Sequence, residues 1–339
     1  MTTATVRIMS AEEITATAVG ETAFLHLPQK DTVFTARTQR FAQLSKGHAM
    51  HDYLGFLADL AQAQAAILES FPSVLLPDQA ALLHASTRAL PPLPASDWAR
   101  DPAWHTALRT MAVALQTKAS PSVHTTLERI LQVDAAWLEL QADCLLTGVT
   151  LGLDMASAPI VAAALQAYWT HMVLEVQRLY PAPVAPFGRI ADADVCPCCG
   201  SLPVASITHS AGDTPGLRYL ACSLCNTRWN MPRILCTHCG QEDKVSYQSL
   251  DLADGNVFVQ PSPEEITAAG ARAAKAAIQA ETCDHCGHYL KIMHQERDAG
   301  IDPVADDIAS LSLDLLVSQT GMQKHGVNLM LLFGDGGAE

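Results

Sequence analysis

Four cysteine pairs with the same two-residue spacing constrain this chain more than any other feature. Nine of its ten cysteines lie between positions 196 and 286, and eight of these nine form the pairs. Two residues between cysteines allow both sulfurs to face one cation while amides of the turn donate hydrogen bonds to them. The pairs are Cys196/Cys199, Cys222/Cys225, Cys236/Cys239 and Cys283/Cys286.

The residue after each pair supports the same interpretation. Gly200, Gly240 and Gly287 follow three of the pairs, and Asn226 follows the fourth. A metal knuckle closes through a positive φ at this position, which glycine adopts freely and asparagine adopts more readily than most residues. We therefore predict four knuckles, each with a left-handed residue after its second cysteine.

The order of knuckles and strand-like segments indicates two copies of one unit, each closing one metal site. An alternative grouping joins the middle two pairs across only ten residues and leaves the outer pairs to meet over a long loop, which costs more closure entropy. We favour two sites built from consecutive pairs. Site one is predicted to contain Cys196, Cys199, Cys222 and Cys225, and site two Cys236, Cys239, Cys283 and Cys286.

Four thiolates per ion are typical of zinc ribbons and rubredoxins, so the predicted cofactors are two metal ions, either iron or zinc. Disulfides are disfavoured in a cytoplasmic chain. A thioredoxin-type redox motif is disfavoured at positions 196–199 because the flanking pattern is strand-like and three other pairs need the same explanation. Full thiolate coordination also leaves no open metal position, and no catalytic triad or nucleotide-binding motif is evident, so we expect no enzyme.

Cys198 is the one cysteine of the region outside the pairs. It occupies the position of Leu224, His238 and His285 in the other knuckles. A position that accepts an apolar side chain or an imidazole is not a ligand position. We therefore expect Cys198 to be a surplus thiol that points away from the ion, with ligand exchange or redox sensing as alternatives.

The segments outside the cysteine region predict helices. Alanine and leucine dominate the first half, and apolar residues recur every three or four positions. Ser157 and Asp302 are predicted helix caps, Gly321 a helix stop, and residues 329–333 either a docked tail or a flexible extension. Further helices are predicted near 78–88, 102–118, 121–132, 134–147 and, within the second unit, 262–279.

The predicted fold class is α+β. It comprises an all-α domain, two small rubredoxin-like or zinc-ribbon β modules and a C-terminal helix. A proline-rich connector at 180–194 precedes the first module. The predicted boundaries are 1–185 for the helical domain, 186–233 and 234–300 for the metal modules, and 301–339 for the helix and tail.

The charge and hydropathy of the chain limit the classes of partner that it is expected to bind. The net charge is −14, and the region 196–294 has seven basic residues against nine acidic ones, so we expect no nucleic-acid binding. The longest apolar run, at 158–169, is too short to span a bilayer. The first 20 residues do not resemble a secretion signal. We therefore expect a cytoplasmic protein.

The cysteine region and its flanks resemble the FdhE family, accessory proteins for formate dehydrogenase assembly. The resemblance is similarly evident in the helical part, and it implies a maturation factor that acts as a chaperone for the catalytic subunit of formate dehydrogenase. A redox-active iron protein that passes an electron or senses oxygen during maturation is the alternative. Cys198 and the alanine-rich insert at 262–279 depart from the family pattern. The resemblance rests on the stretches 37–64, 158–172, 196–206, 216–240, 280–298, 304–314 and 327–336.

Residues that contact the client are sought on the flanks of the knuckles. Arg218, Arg233 and Lys291 are candidates because we expect these charged side chains to be exposed. Trp229 is a further candidate, although a large aromatic residue after a knuckle is more often packed between modules.

Overall fold

The computed structural model describes residues 23–181, 186–211, 214–250 and 275–331. Within these residues, seven helices precede the cysteine region and two follow it, and the eight described strands, including one before the helices and one after them, form one sheet. The helices are α1 Val33–Leu44, α2 His51–Glu69, α3 Gln79–Thr87, α4 Ala103–Gln116, α5 Pro121–Gln132, α6 Ala135–Thr147, α7 Ala158–Leu179, α8 Pro303–Ala309 and α9 Leu311–Ser318. The strands are β1 Leu25–His26, β2 Pro203–Ala211, β3 Thr214–Cys222, β4 Arg228–Met231, β5 Val245–Gln248, β6 Ile278–Cys283, β7 His288–His294 and β8 Gln323–Lys324. The predicted α+β class is confirmed.

Helix α7 is the centre of the helical domain. Fifteen of its 22 side chains are buried, including those of Tyr168 and Trp169. A helix that is apolar on all sides requires neighbours on all sides. The run of alanines at 162–164 keeps this helix narrow, so α2, α4 and α6 pack closely around it.

The predicted helix cap at Asp302 is confirmed, and the predicted cap at Ser157 is wrong. Asp302 caps α8 by accepting hydrogen bonds from the amides of Val304 and Ala305. Ser157 does not cap α7, because its hydroxyl donates back to the carbonyl of Asp154 at 3.1 Å. The helix predicted after Asp302 is divided into α8 and α9 at Ser310, whose hydroxyl bonds the Asp306 carbonyl.

The carboxyl-terminal segment is docked as far as the structure describes it. Leu329 and Met330 are buried, and the Tyr53 hydroxyl donates to the Met330 carbonyl. Phe333 and residues 262–274 of the predicted helix lie outside the described residues, whereas the end of that prediction was wrong, because Ile278 and Gln279 begin strand β6.

Both cysteine units belong to a single sheet of order β1-β4-β3-β2-β7-β6-β5, with β8 paired to β7. Strands β2 and β3 come from the first unit, and β6 and β7 come from the second. The two units join where β2 pairs with β7 in parallel, with Ser206 opposite Ile292 and Thr208 opposite His294. The two small β modules predicted from the sequence therefore share one continuous sheet.

Buried ion pairs join the two cysteine units to each other and join the sheet to α8. The Arg218 guanidinium lies 2.6 Å from Glu281, which joins β3 of the first unit to β6 of the second. Both side chains are almost fully buried. The Lys291 ammonium on β7 lies 3.2 Å from Asp307 on α8. Although burial opposes ionisation, Lys291 and Lys324 hold the pKa of Asp307 at about 2.

The Arg218–Glu281 pair offers a test of how the two units are joined. Removing one partner of a buried pair leaves a buried charge, which costs about 3–5 kcal/mol. We expect Glu281→Ala to lower the melting temperature strongly in calorimetry. Arg178→Ala, which removes an exposed pair with Glu175, should leave it nearly unchanged. Equal effects of the two substitutions would show that the buried pair does not hold the units together.

Candidate metal centres

The eight paired cysteines form two groups in space. Within each group the four sulfurs lie within 4.8 Å of one another, and the members are those predicted for site one and site two. The alternative grouping, which joins the middle two pairs, is not found. These two groups are referred to below as cluster one, which contains Cys196, Cys199, Cys222 and Cys225, and cluster two, which contains Cys236, Cys239, Cys283 and Cys286.

The sulfur spacing fits tetrahedral coordination. The closest sulfur contacts between knuckles measure 3.4 and 3.5 Å in cluster one and 3.7 Å twice in cluster two. Four sulfurs at about 2.3 Å from a central zinc ion are separated from one another by about 3.8 Å. A disulfide would bring two sulfurs to about 2.05 Å, and all the cysteines are free thiols. The donor set and its spacing therefore suit one thiolate-bound cation in each cluster.

The backbone of each knuckle has the predicted conformation. The φ angles after the second cysteines are 73° at Gly200, 62° at Asn226, 69° at Gly240 and 72° at Gly287. In cluster one, the amides of residues 224 and 225 donate to the Cys222 sulfur at 3.3 Å. Amide donation stabilises thiolate charge, which is the form that binds metals.

The thiols show why a cation is needed to ionise all four. Burial raises the pKa values of Cys196 and Cys222 well above the usual range. Burial also opposes ionisation of Cys225, but hydrogen bonds from neighbouring thiols hold its pKa well below that range. The protein groups alone therefore do not favour joint ionisation of the four thiols, and the charge of four thiolates requires a positive ion.

The clusters differ in exposure. All four cysteines of cluster one are buried, whereas Cys239 and Cys286 of cluster two are half-buried. The helical domain encloses cluster one, because the amides of Leu93 and Ala95 donate to the carbonyls of residues 198 and 199 at 3.0 and 2.8 Å. On the other side, the Gln166 amide donates to the Ser223 carbonyl at 2.8 Å.

Cys198 does not point away from cluster one. Its sulfur lies 3.5 Å from the Thr227 hydroxyl, which is also 3.2 Å from the sulfur of Cys225. The expectation of an outward thiol was wrong because the helical domain covers this knuckle, and the fully buried side chain has no route to solvent. Cys198 is nevertheless not a member of the four-sulfur group.

Three imidazoles lie beside cluster two. The ring of His238 is 3.8 Å from the ring of His288 and 5.1 Å from that of His325. Burial, His238 and His288 together lower the pKa of His325 to about 4. His238 was predicted to be a bystander, and it is outside the four-sulfur group. The contribution of His325 was missed because it arrives from a distant part of the chain.

Most of the residues proposed to contact a client are not exposed. Arg218 and Lys291 are buried, so the expected exposure was wrong for these two, whereas Trp229 is buried as its aromatic type favoured and Arg233 is exposed. The charged residues are internal because carboxylates from other elements meet them. The indole of Trp229 donates to the carbonyl of Ala193 in the connector at 3.0 Å.

In the part of the chain that the structure describes, no helix has the length and apolar content needed to cross a bilayer. The fold and the clusters together define a class of protein in which a helical domain encloses one of two four-cysteine knuckle units.

Family models place the chain within that class. The N-terminal domain model of FdhE matches residues 22–186, the central domain model matches 195–233 and the C-terminal domain model matches 234–331. The chain therefore belongs to the FdhE family, as the resemblance predicted.

Individual relatives agree along the whole length. The FdhE homolog of Edwardsiella ictaluri is 35% identical over 335 residues, which cover 97% of this chain and 99% of that protein. The homolog of Pasteurella multocida is 36% identical and is covered to 97%. The crystal structure of the FdhE protein from Pseudomonas aeruginosa superposes with a TM-score of 0.77 at 32% identity, covering 92% of this chain and all of that one.

The difference in exposure predicts the order of metal loss. With protein purified together with its metals, a chromogenic chelator should extract ions in two phases, and the faster phase should come from cluster two. Cys286→Ser should remove the fast phase only. Cys144→Ser, which changes a buried cysteine outside both clusters, should leave both phases in place. Release in a single phase would contradict the difference in accessibility.

Proposed function

We propose that this protein is a cytoplasmic accessory factor that binds the catalytic subunit of formate dehydrogenase and assists its assembly into active enzyme. The observation that carries this proposal is FdhE family membership along nearly the whole chain. We propose no catalytic activity for the protein itself. The acidic net charge of −14 further supports a protein client over a nucleic acid.

In this proposal the eight paired cysteines are ligands of two metal ions, iron or zinc. A divalent ion would supply the positive charge that lets four thiolates share one small volume. With all four positions taken by sulfur, each ion would cross-link two knuckles and leave no place for substrate. The enclosed cluster one then stabilises the junction with the helical domain, and cluster two stabilises the outer part of the sheet.

We propose that the chain is organised into domains with the predicted boundaries 1–185, 186–233, 234–300 and 301–339. The family models at 22–186 and 195–233 lie close to the first two of these ranges, and the model at 234–331 spans the third and most of the fourth. The continuous sheet means that the two metal modules would present themselves to a client as one rigid surface. Arg233, exposed on the segment between the modules, remains the proposed contact on that surface.

Co-purification with the catalytic subunit of a formate dehydrogenase tests the proposal. The tagged full-length chain should retain the subunit. Cys222→Ser should lower the melting temperature and lose the client, because its thiol is buried beneath the helical domain. Cys144→Ser, matched for burial, should retain the client. Failure of the wild-type chain to retain the subunit would remove the client assignment.

The surface contact is tested separately with a charge reversal. We expect Arg233→Glu to reduce recovery of the catalytic subunit severalfold while the melting temperature stays the same, because an exposed side chain contributes little to stability. Arg88→Glu, on an exposed turn of the helical domain, is the matched control. Equal recovery with both variants would exclude Arg233 from the contact.

Redox activity is a second candidate function, favoured by the half-buried sulfurs of cluster two. An iron ion held there would be accessible to an electron donor or to oxygen, whereas cluster one is enclosed. Metal analysis and absorption spectra of anaerobically purified protein separate the candidates. Iron with a spectral change on reduction would favour electron transfer. Zinc in both sites with no such change would exclude it.

A further inference from the structure

A cleft of about 730 Å³ lies between α1, the β1–β4 edge of the sheet and the start of α8. It reaches Cys222, so its floor is continuous with the knuckle of cluster one. Volumes of this size are typical of small-molecule sites. The cationic and imidazole side chains of its lining are Arg37, Arg40, Arg228, His26 and His209.

Carboxylates of the fold already neutralise two of the three arginines. Arg37 lies 3.0 Å from Asp302, and Arg40 lies 2.6 Å from Asp306. These two pairs join α1 to α8, and both arginines are buried. They shape the cleft, but their charge is already balanced.

Arg228 is different. It lies on β4, opposite His26 of β1, and its side chain is half-buried. No described carboxylate forms an ion pair with it, and Asp302 acts on it only over a longer distance. Burial and the nearby Arg37 lower the pKa of Arg228. Holding a partly desolvated cation without a partner is unfavourable unless a ligand supplies the missing negative charge.

Asp302 is the one carboxylate among the described lining residues and is already paired with Arg37, and the other polar groups include hydrogen-bond donors. Burial lowers the pKa values of His26 and His209, and Arg228 lowers both further, so both imidazoles are held neutral with one N–H each. The first turn of α1 also lines the cleft, and no described side chain caps that end of the helix. The Val33 N–H already donates to the Gln29 carbonyl at 3.0 Å, so this end offers the cleft mainly its partial positive charge.

We propose that this cleft binds a phosphate-bearing small molecule, with the Arg228 guanidinium as its main anionic contact. A guanidinium can hold two oxygens of one phosphate side by side. The donors and the positive charge come from three directions, namely Arg228 on β4, the imidazoles on β1 and β2, and the amino end of α1. Such an arrangement suits a tetrahedral oxyanion better than a planar carboxylate.

Calorimetric titration of the full-length protein with inorganic phosphate and pyrophosphate tests this site, with ionic strength held constant by chloride. Arg228→Gln should weaken binding about tenfold or more, since a charge-assisted hydrogen bond contributes about 1.5–3 kcal/mol. Arg228→Lys keeps the charge but not the paired donors, so its affinity for phosphate should lie between those of Arg228→Gln and the wild type. Arg88→Gln should bind as wild type does.

Stability separates a binding role from a structural one. No carboxylate in the described part of the chain forms an ion pair with Arg228, so Arg228→Gln should retain or raise the melting temperature in the absence of phosphate. Unchanged phosphate binding by Arg228→Gln would overturn the site. Tighter binding of formate or acetate than of phosphate, or no heat from either phosphate or pyrophosphate with wild type, would overturn the ligand class.

Discussion

The packing of the first knuckle unit against α7 is the interaction on which the rest of the structure depends. Gln166 donates to the knuckle backbone at Ser223, and Asn226 donates to Thr170 at 2.9 Å. Arg37 then bonds Asn226 at 2.7 Å and Asp302 at 3.0 Å, so one buried side chain links α1, the knuckle and α8. Buried polar groups of this kind are satisfied only in one relative placement of the elements that carry them.

That placement makes two clusters of the same composition physically unequal. Cluster one is covered by the helical domain, and all four of its cysteines are buried, so its ion would be held away from solvent. Cluster two lies on the outer part of the sheet, with two half-buried sulfurs and an imidazole wall. One chain could therefore hold a structural ion in cluster one and a solvent-accessible ion in cluster two.

Local chemistry explains why much of the architecture and the cluster membership could be predicted. Spacing defines a knuckle within four residues, and the left-handed φ of Gly200 and Asn226 follows from the same short motif. The single sheet could not be predicted, because it depends on parallel pairing of Ser206 with Ile292, which are far apart in the chain. Arg218 and Lys291 were wrongly expected to be exposed for the same reason, since the carboxylates that permit their burial come from other elements.

The sequence by itself determined the α+β class, the four knuckles, the likeness to the FdhE family and the pairing of knuckles into two groups. These properties depend on residue type and short-range spacing, which a chain carries before it folds. Only the tertiary structure decided which cluster is enclosed, that Cys198 stays beside its cluster, and that Arg228, unlike Arg37 and Arg40, forms no ion pair with a carboxylate of the described residues. Burial and ion pairing are relations between distant segments, so packing alone sets them.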